Sequence, residues 1–504
     1  MEYILAVDLG TTAIKVILFQ IDGQVISNSI QEYTLLTPTE LAVELEVEKY
    51  WDAFKKGLAE VLTQAKIDSS KIKSIGISAQ GETLILVGKE GEPLNNAVVW
   101  LDNRAQQEAE ELVKEFGNEN TYHVTGQVEI VPTWPAAKIL WFKKHKPDIY
   151  RQVAKFLLIE DYFIYRLCGK YVCEGSLICS TVYWDIIKKV WWKDMLSYLG
   201  VKEVQLPEIR ESGEVVGSIQ PKIARELGLS ADTLVTTGAL DQACGAIGVG
   251  NLVPGVISEN TGAALAICAT VDHPIFDKKG RMPCHYHGIP DTYMAHTFTT
   301  GGMGLRWFRD KFCSLEIDIS SFIKIDSYNL LDQEAAQVPP GCNGLVMLPH
   351  LQGAMAPESN PKAKGVFYGF TLHHGKAHFI RSIMEAIAFA VQRNIDVLED
   401  LGIKVDEIRS LGGGSRSLLW SQIKADVTQR SVYIMENEEA ACLGAAMLAG
   451  VATGIYPNLK VATKKMVSIK KQVKPNKANM DTYKQGYKRY TSLYNSLIDM
   501  FKKY

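Results

Sequence analysis

Two acidic residues stand where charge is costly. Asp8 closes the apolar run ILAV and opens DLGTT (8–12), and Asp241 follows an apolar run within TTGALDQACGAIGVG (236–250). A carboxylate in such a setting must meet a cation, a donor or a reaction. Beyond Asp8, Gly10 permits a tight turn, and Thr11 and Thr12 add hydroxyls beside amides able to form an anion-binding nest. Asp8 can then hold Mg2+ through water. Asp241 can accept the proton of an alcohol as its oxygen bonds to phosphorus, with the Gln242 amide holding the acceptor. A third stretch, LGGGSRS (411–417), lets the backbone lie flat against a planar or phosphorylated ligand, although its spacing is neither P-loop nor GxGxxG. Each has a plain alternative: a hairpin with a satisfied Asp, a helix N-cap at Asp241, an ordinary Gly-rich turn.

Rigid elements must carry these residues. ILAVDLGTTAIKVILFQIDGQVI reads strand, turn, strand, turn, strand. A helix follows over VEKYWDAFKKGLAEVLTQA, with Tyr50, Phe54, Leu58, Val61, Leu62 and Ala65 at helical spacing. Strands are expected at KSIGISA, TLILVG and NAVVWLDNR, and helices at QQEAEELVKEF and AAKILWFKKH. From about residue 245 the rhythm restarts: NLVPGVISENTGAALAICATV places ENTG where LGTT stood. A long amphipathic helix, HFIRSIMEAIAFAVQRNIDVLEDLG, then precedes a strand (EIRSL), the GGGS turn and a helix (SLLWSQIKADV). EEAACLGAAMLAG (438–450) is a small-faced helix around Gly444, Ala445 and Ala446, suited to core packing or to an interlobe junction. KKMVSIKKQVKPNK reads as a solvated connection, and the closing helix from Asp481 carries an aromatic stripe for packing. Two α/β lobes, each opening with a hairpin, fit this order.

With 504 residues, 47% hydrophobic and 22% charged, the chain is expected to be globular with two large domains. A net charge of −3 gives no reason to expect nucleic acid or an anionic membrane as partner. Nine scattered cysteines without a CxxC pair suit a reducing compartment. No signal peptide and no run of membrane-spanning length is read, so a cytoplasmic protein is expected. Cys284, His285 and His287 in CHYH lack a second Cys/His cluster to complete a zinc site, and a β segment is favoured there.

Taken together and in this order, the motifs resemble the FGGY carbohydrate kinases of the actin-like ATPase superfamily, over nearly the whole chain. ILAVDLGTTAIKVILF is similar to the family's first phosphate hairpin, with Asp8, Gly10, Thr11, Thr12 and Lys15 in place. VPTWPAAKILWFKKH resembles its first signature, including Lys138 and Trp141, and GFTLHHGKAHFIRSIMEAIAF its second. ISENTGAALAI resembles the second phosphate hairpin, and LGGGSRSLLWSQIKADV the adenosine motif. The resemblance implies a two-lobed α/β fold of the actin-like, ribonuclease H-like kind, with duplicated domains at 1–247 and 248–504, an interlobe cleft, and a last helix free to pack back on the first lobe. It implies ATP and Mg2+, with Thr11, Thr12, Lys15, Thr261, Gly262, Gly413, Gly414 and Gln422 at the nucleotide. It further implies Asp8 and Asp241 at the metal, Asp241 as catalytic base, and a homodimer as one expected state.

The acceptor side departs from the family pattern. Where glycerol kinase has Arg-Glu this chain has Gly81-Glu82, and where many relatives have GERTP it has Gly353-Ala354-Met355-Ala356-Pro357. Gln80, Glu82, Trp100, Asp102, Arg104 and Gln242 are the candidate substrate contacts, Asp102 and Arg104 having a structural ion pair as their plain alternative. A small open-chain sugar or polyol, a ketopentose such as xylulose among them, is the expected acceptor. A nucleotide-driven binding protein of the actin-like class and a catalytically weak sugar sensor are the competing readings.

Overall fold

The computed structural model describes residues 2–503, which form two compact units. The first gathers the chain up to Leu252 with Val271–Met294 and Glu439–Val467; the second gathers Val253–Thr270, Ala295–Glu438 and the chain from Ser468 on.

In the first unit, β1 (Tyr3–Leu9), β2 (Ala13–Gln20) and β3 (Val25–Glu32) form the expected meander, and α1 (Val47–Ala65) packs on β2 and β3. The spacing read in the sequence is the packing surface: Tyr50, Trp51, Phe54, Leu58 and Val61 are buried, each contributing roughly 2 kcal/mol. β4 (Ile72–Ala79) runs parallel to β1 on the side away from β2. The helix α2 (Pro135–His145) comes later in the chain. β5 (Val215–Ser218) and β6 (Leu234–Thr236) complete the order β5-β6-β4-β1-β2-β3, and a short β7 (Ala239–Leu240) also pairs with β4. β7 leads directly into α3 (Asp241–Gly248). The sequence NAVVWLDNR gives only a two-residue strand, Ala97–Val98, and the rest is loop, because Asp102 turns inward there and folds the chain around itself.

The second unit repeats the hairpin-plus-parallel-strand arrangement. β8 (Gly255–Thr261) and β9 (Ala264–Val271) form the hairpin. The long helix α4 (Lys376–Asp400) precedes β10 (Val405–Leu411), which runs parallel to β8; α5 (Leu418–Thr428) follows, capped by the Ser417 side chain. β11 (Ser431–Met435) is next in the sheet.

The chain then returns to the first sheet. α6 (Ala440–Ala452) packs on β4, β1 and α3, and its small face is a core contact within the first unit. A Cβ on Gly76 would stand 2.2 Å from the Ala445 carbonyl oxygen, and one on Gly444 1.9 Å from that of Cys244. Only hydrogen at these positions lets backbone meet backbone.

Two further expectations are corrected. The basic stretch after residue 464 is no mere connection: β12 (Ile469–Val473) pairs antiparallel with β11. Its lysines point to solvent, as suits an edge strand. The closing helix α7 (Met480–Lys503) sits in the second unit against α5, so the segment that packs back on the first sheet is α6 instead.

Candidate active site

The end of β1 places Asp8 opposite Lys15 on β2 and opposite Ser78 on β4. Ser78 Oγ donates to Asp8 Oδ1 at 2.8 Å. Burial pushes the Asp8 carboxyl up, opposed by the Lys15 charge and the Ser78 hydrogen bond. Lys15 is itself engaged in an ion pair with Glu439, which overcomes burial and holds its ammonium above the usual range.

Asp241 is the first residue of α3, one position inside the N-cap, and its Oδ1 accepts the Gln242 N–H at 2.7 Å. Burial first, then the Asp8 charge, raise its carboxyl to about 7; the Gln242 bond opposes and the Glu82 charge adds. Two buried carboxylates hold the strand that presents it. Glu160 accepts the Gly238 N–H at 2.7 Å, and Glu174, raised by burial to about 7, binds Ser176 Oγ, which accepts the Leu240 N–H at 2.9 Å. Glu82 stands at φ +54° with its carboxyl raised by burial, against a Ser180 hydrogen bond and the Lys138 charge. Asp8, Asp241 and Glu82 are each partly open to solvent while deeply surrounded, which describes a recess with three acidic groups.

Around this recess the other candidates fall into two kinds. Trp100 Nε1 donates to Thr11 Oγ1 at 2.8 Å, and Gln80 Nε2 donates to the Gly10 carbonyl at 3.1 Å and to Tyr50 OH at 3.2 Å, so both brace the DLGTT turn. Thr12 is exposed and Gln242 half-buried. Asp102 is spent: it accepts the Val43 N–H at 2.7 Å and the Arg104 guanidinium at 2.7–2.9 Å. Arg104 also binds Glu44 at 2.6 Å and lies 5.0 Å over the Trp141 ring. The plain alternative, a structural clasp, is what this pair displays. The buried Lys138 on α2 ties the acceptor loops together, donating to the Glu82 carbonyl at 3.2 Å and the Val99 carbonyl at 3.0 Å. Burial lowers its ammonium to about 7, against the charges of Asp102 and Glu82.

In the second unit the turn closes through Gly262 N–H to the Ala264 carbonyl at 2.9 Å. Thr261 Oγ1 is turned inward, donating to Glu259 and accepting from Lys424 at 2.9 Å, so a phosphate here would meet the turn's backbone. The GGGS turn is a short 3-10 segment, Gly413–Arg416. A Cβ on Gly414 would strike the Thr261 side chain at 2.7 Å, whereas Gly413 faces open space. Gln422 Nε2 is engaged with Asp426 at 2.7 Å and the Lys474 carbonyl at 2.9 Å. Sequence reasoning passed over Glu259, although it interrupts an apolar strand as Asp8 does, and over Lys424, which no spacing in a helix marks.

Among the described residues no group of three or more His, Cys, Asp or Glu side chains is arranged to hold a metal ion. Cys284, His285 and Tyr286 form a β-strand, as favoured above. Asp8 and Asp241 remain an acidic pair whose charges raise each other's cost. Such a pair suits a hard divalent cation completed by water and phosphate oxygens.

Residues 3–248 match the N-terminal domain of the FGGY family of carbohydrate kinases, and residues 263–453 match its C-terminal domain. Xylulose kinase of Bacillus subtilis is 29% identical over 501 residues, covering 99% of this chain and 98% of that protein. Gluconokinase of the same organism is 30% identical over 454 residues, covering 90% and 88%. A ligand-bound xylulose kinase from Lactobacillus acidophilus superposes with a TM-score of 0.91 at 27% identity, each chain covered in full (100%). The two matched domains, the hairpin-and-parallel-strand repeat and the acidic recess agree: this chain belongs to the FGGY family of carbohydrate kinases.

Proposed function

We propose that this carbohydrate kinase transfers the γ-phosphate of ATP to a hydroxyl of a small neutral open-chain sugar or polyol, with a ketopentose such as xylulose as first candidate. The reading rests on Asp241: a carboxyl raised to about 7 titrates where a general base works best at neutral pH. The substrate hydroxyl oxygen bonds to the γ-phosphorus as the bond from that phosphorus to the β-bridging oxygen breaks. The hydroxyl proton passes to Asp241, and ADP departs. Glu82 orients the acceptor, while Lys138 fixes the loops that carry Glu82 and Val99.

Within the second unit, the Thr261 turn and the open face at Gly413 suit the nucleotide, the Gly413 face its adenosine; within the first unit, the DLGTT turn, with Thr12 exposed, suits a phosphate. Asp8 and Asp241 would hold Mg2+, which when bound neutralises phosphate charge. Glu82 on the acceptor side favours a neutral polyol or ketose over a sugar acid, whose own carboxylate it would repel. Among the described residues no helix is long and apolar enough to cross a membrane. None of the nine cysteines is joined in a disulfide, in keeping with a reducing working place.

A screen of ATP consumption over polyols, ketopentoses, ketohexoses and sugar acids tests the assignment. Turnover of a neutral polyol or ketose, lost in Asp241→Asn, is the expected result; turnover of a sugar acid alone would refute it.

A further inference from the structure

The two hairpins carry the same device with different counter-charges. In the first, Asp8 pairs in register with Ser78 and accepts its hydroxyl; in the second, Glu259 pairs in register with Ser410 and accepts its hydroxyl at 2.7 Å. Each carboxylate stands just before its turn. Asp8 is partly open, and Lys15, the cation opposite it, is drawn away by Glu439. Glu259 is closed off: its side chain and that of Lys424 are both 0% exposed, and Lys424 Nζ reaches both carboxylate oxygens at 2.9 Å.

The same ammonium donates to Thr261 Oγ1 at 2.9 Å, completing its three bonds. Thr261 in turn backs Gly414, and a Cβ on Gly412 would meet Asn260 Oδ1 at 2.3 Å, so the hairpin end and the Gly-rich turn are in direct contact. Lys424 lies on α5, two residues after Gln422. One buried cation thus ties the hairpin end to the helix behind it, and the hairpin end in turn backs the Gly-rich turn.

We propose that Lys424 is a positioning residue for the nucleotide. It supplies from within the protein the positive charge that the second hairpin's carboxylate requires, and it makes the turns at 261–262 and 412–414 a single rigid platform. This rests on the nucleotide reading given above. A buried ion pair seldom adds net stability over an apolar replacement, so the neutral pair of substitutions can fold and isolate the geometric role.

The test is the charge-neutral pair Glu259→Gln with Lys424→Met, made because Lys424→Met alone strands a buried carboxylate and risks unfolding. Melting establishes that the pair folds; titration with ADP gives nucleotide affinity, and steady-state kinetics give both KM values. The expected result is a folded protein with ADP affinity and KM for ATP at least tenfold worse and KM for the sugar within twofold. A folded pair that binds ADP like the parent protein overturns the proposal. Gly413→Val, which projects only into open space, separates this failure from that of the underlying reading. If G413V binds ADP unimpaired, the nucleotide does not lie here and the proposal falls with that reading. If G413V abolishes binding while the neutral pair does not, only the role of Lys424 is lost.

Discussion

Asp241 should be an expensive residue to keep, and the cost can be measured. Its carboxyl rises from 3.8 to about 7 in the folded chain. A raised carboxyl favours the folded state fully below pH 3.8, and that favour is lost as pH rises through about 7. At 1.36 kcal/mol per tenfold, the charged form costs on the order of 4 kcal/mol above pH 7, a ceiling because water reaches the recess, and roughly 1.5 kcal/mol at pH 5. Asp241→Asn removes the charge and keeps an Oδ1 to accept the Gln242 N–H. The variant should therefore be inactive and more stable, by a margin that widens between pH 5 and pH 8. At roughly 1.5 °C per kcal/mol for a unit of about 300 residues, the gap in melting midpoint should grow by roughly 4 °C. The assay is tryptophan-fluorescence melting of both proteins, without nucleotide and with chelator, at the two pH values. A gap that stays constant or narrows with pH would refute both the placement of the charge and the reasoning that makes it a base.

Other measurements bear on the same site. The rate profile of kcat/KM, read with Mg2+, should rise with pH and flatten along a limb below 7, since Asp241 must be deprotonated to act and the cation offsets the burial and the Asp8 charge that raise its carboxyl. Lys138→Met leaves the Glu82 and Val99 carbonyls without their donor, costing about 1–3 kcal/mol each, and should raise the sugar KM at least tenfold with little change in the ATP KM. Gly76→Val forces a side chain into the Ala445 carbonyl and should lower the melting midpoint by roughly 2–5 °C, read by calorimetry.

Periodicity made the elements legible. α1 and the helix Gln106–Phe116 fall where the apolar spacing put them, and the meander β1–β3 follows from two turn signals. β12 was hidden because an edge strand rich in lysine has the composition of a loop. Asp8 and Asp241 announced themselves as charges among apolar neighbours. Glu259 carried the same mark, but its partner Lys424 lies 165 residues away, and no local pattern links them. The Asp102–Arg104 clasp needed Glu44 and Val43 to decide it, contacts that only the folded loop supplies.

The roof over β4 and β1 is α6, which the chain reaches only after residue 439. During translation the hydrophobic strand carrying Asp8 therefore waits, uncovered, until most of the polypeptide has left the ribosome. A gene cut after codon 252 should yield an aggregating fragment, whereas one that also encodes 271–294 and 439–467 through flexible tethers should close its core.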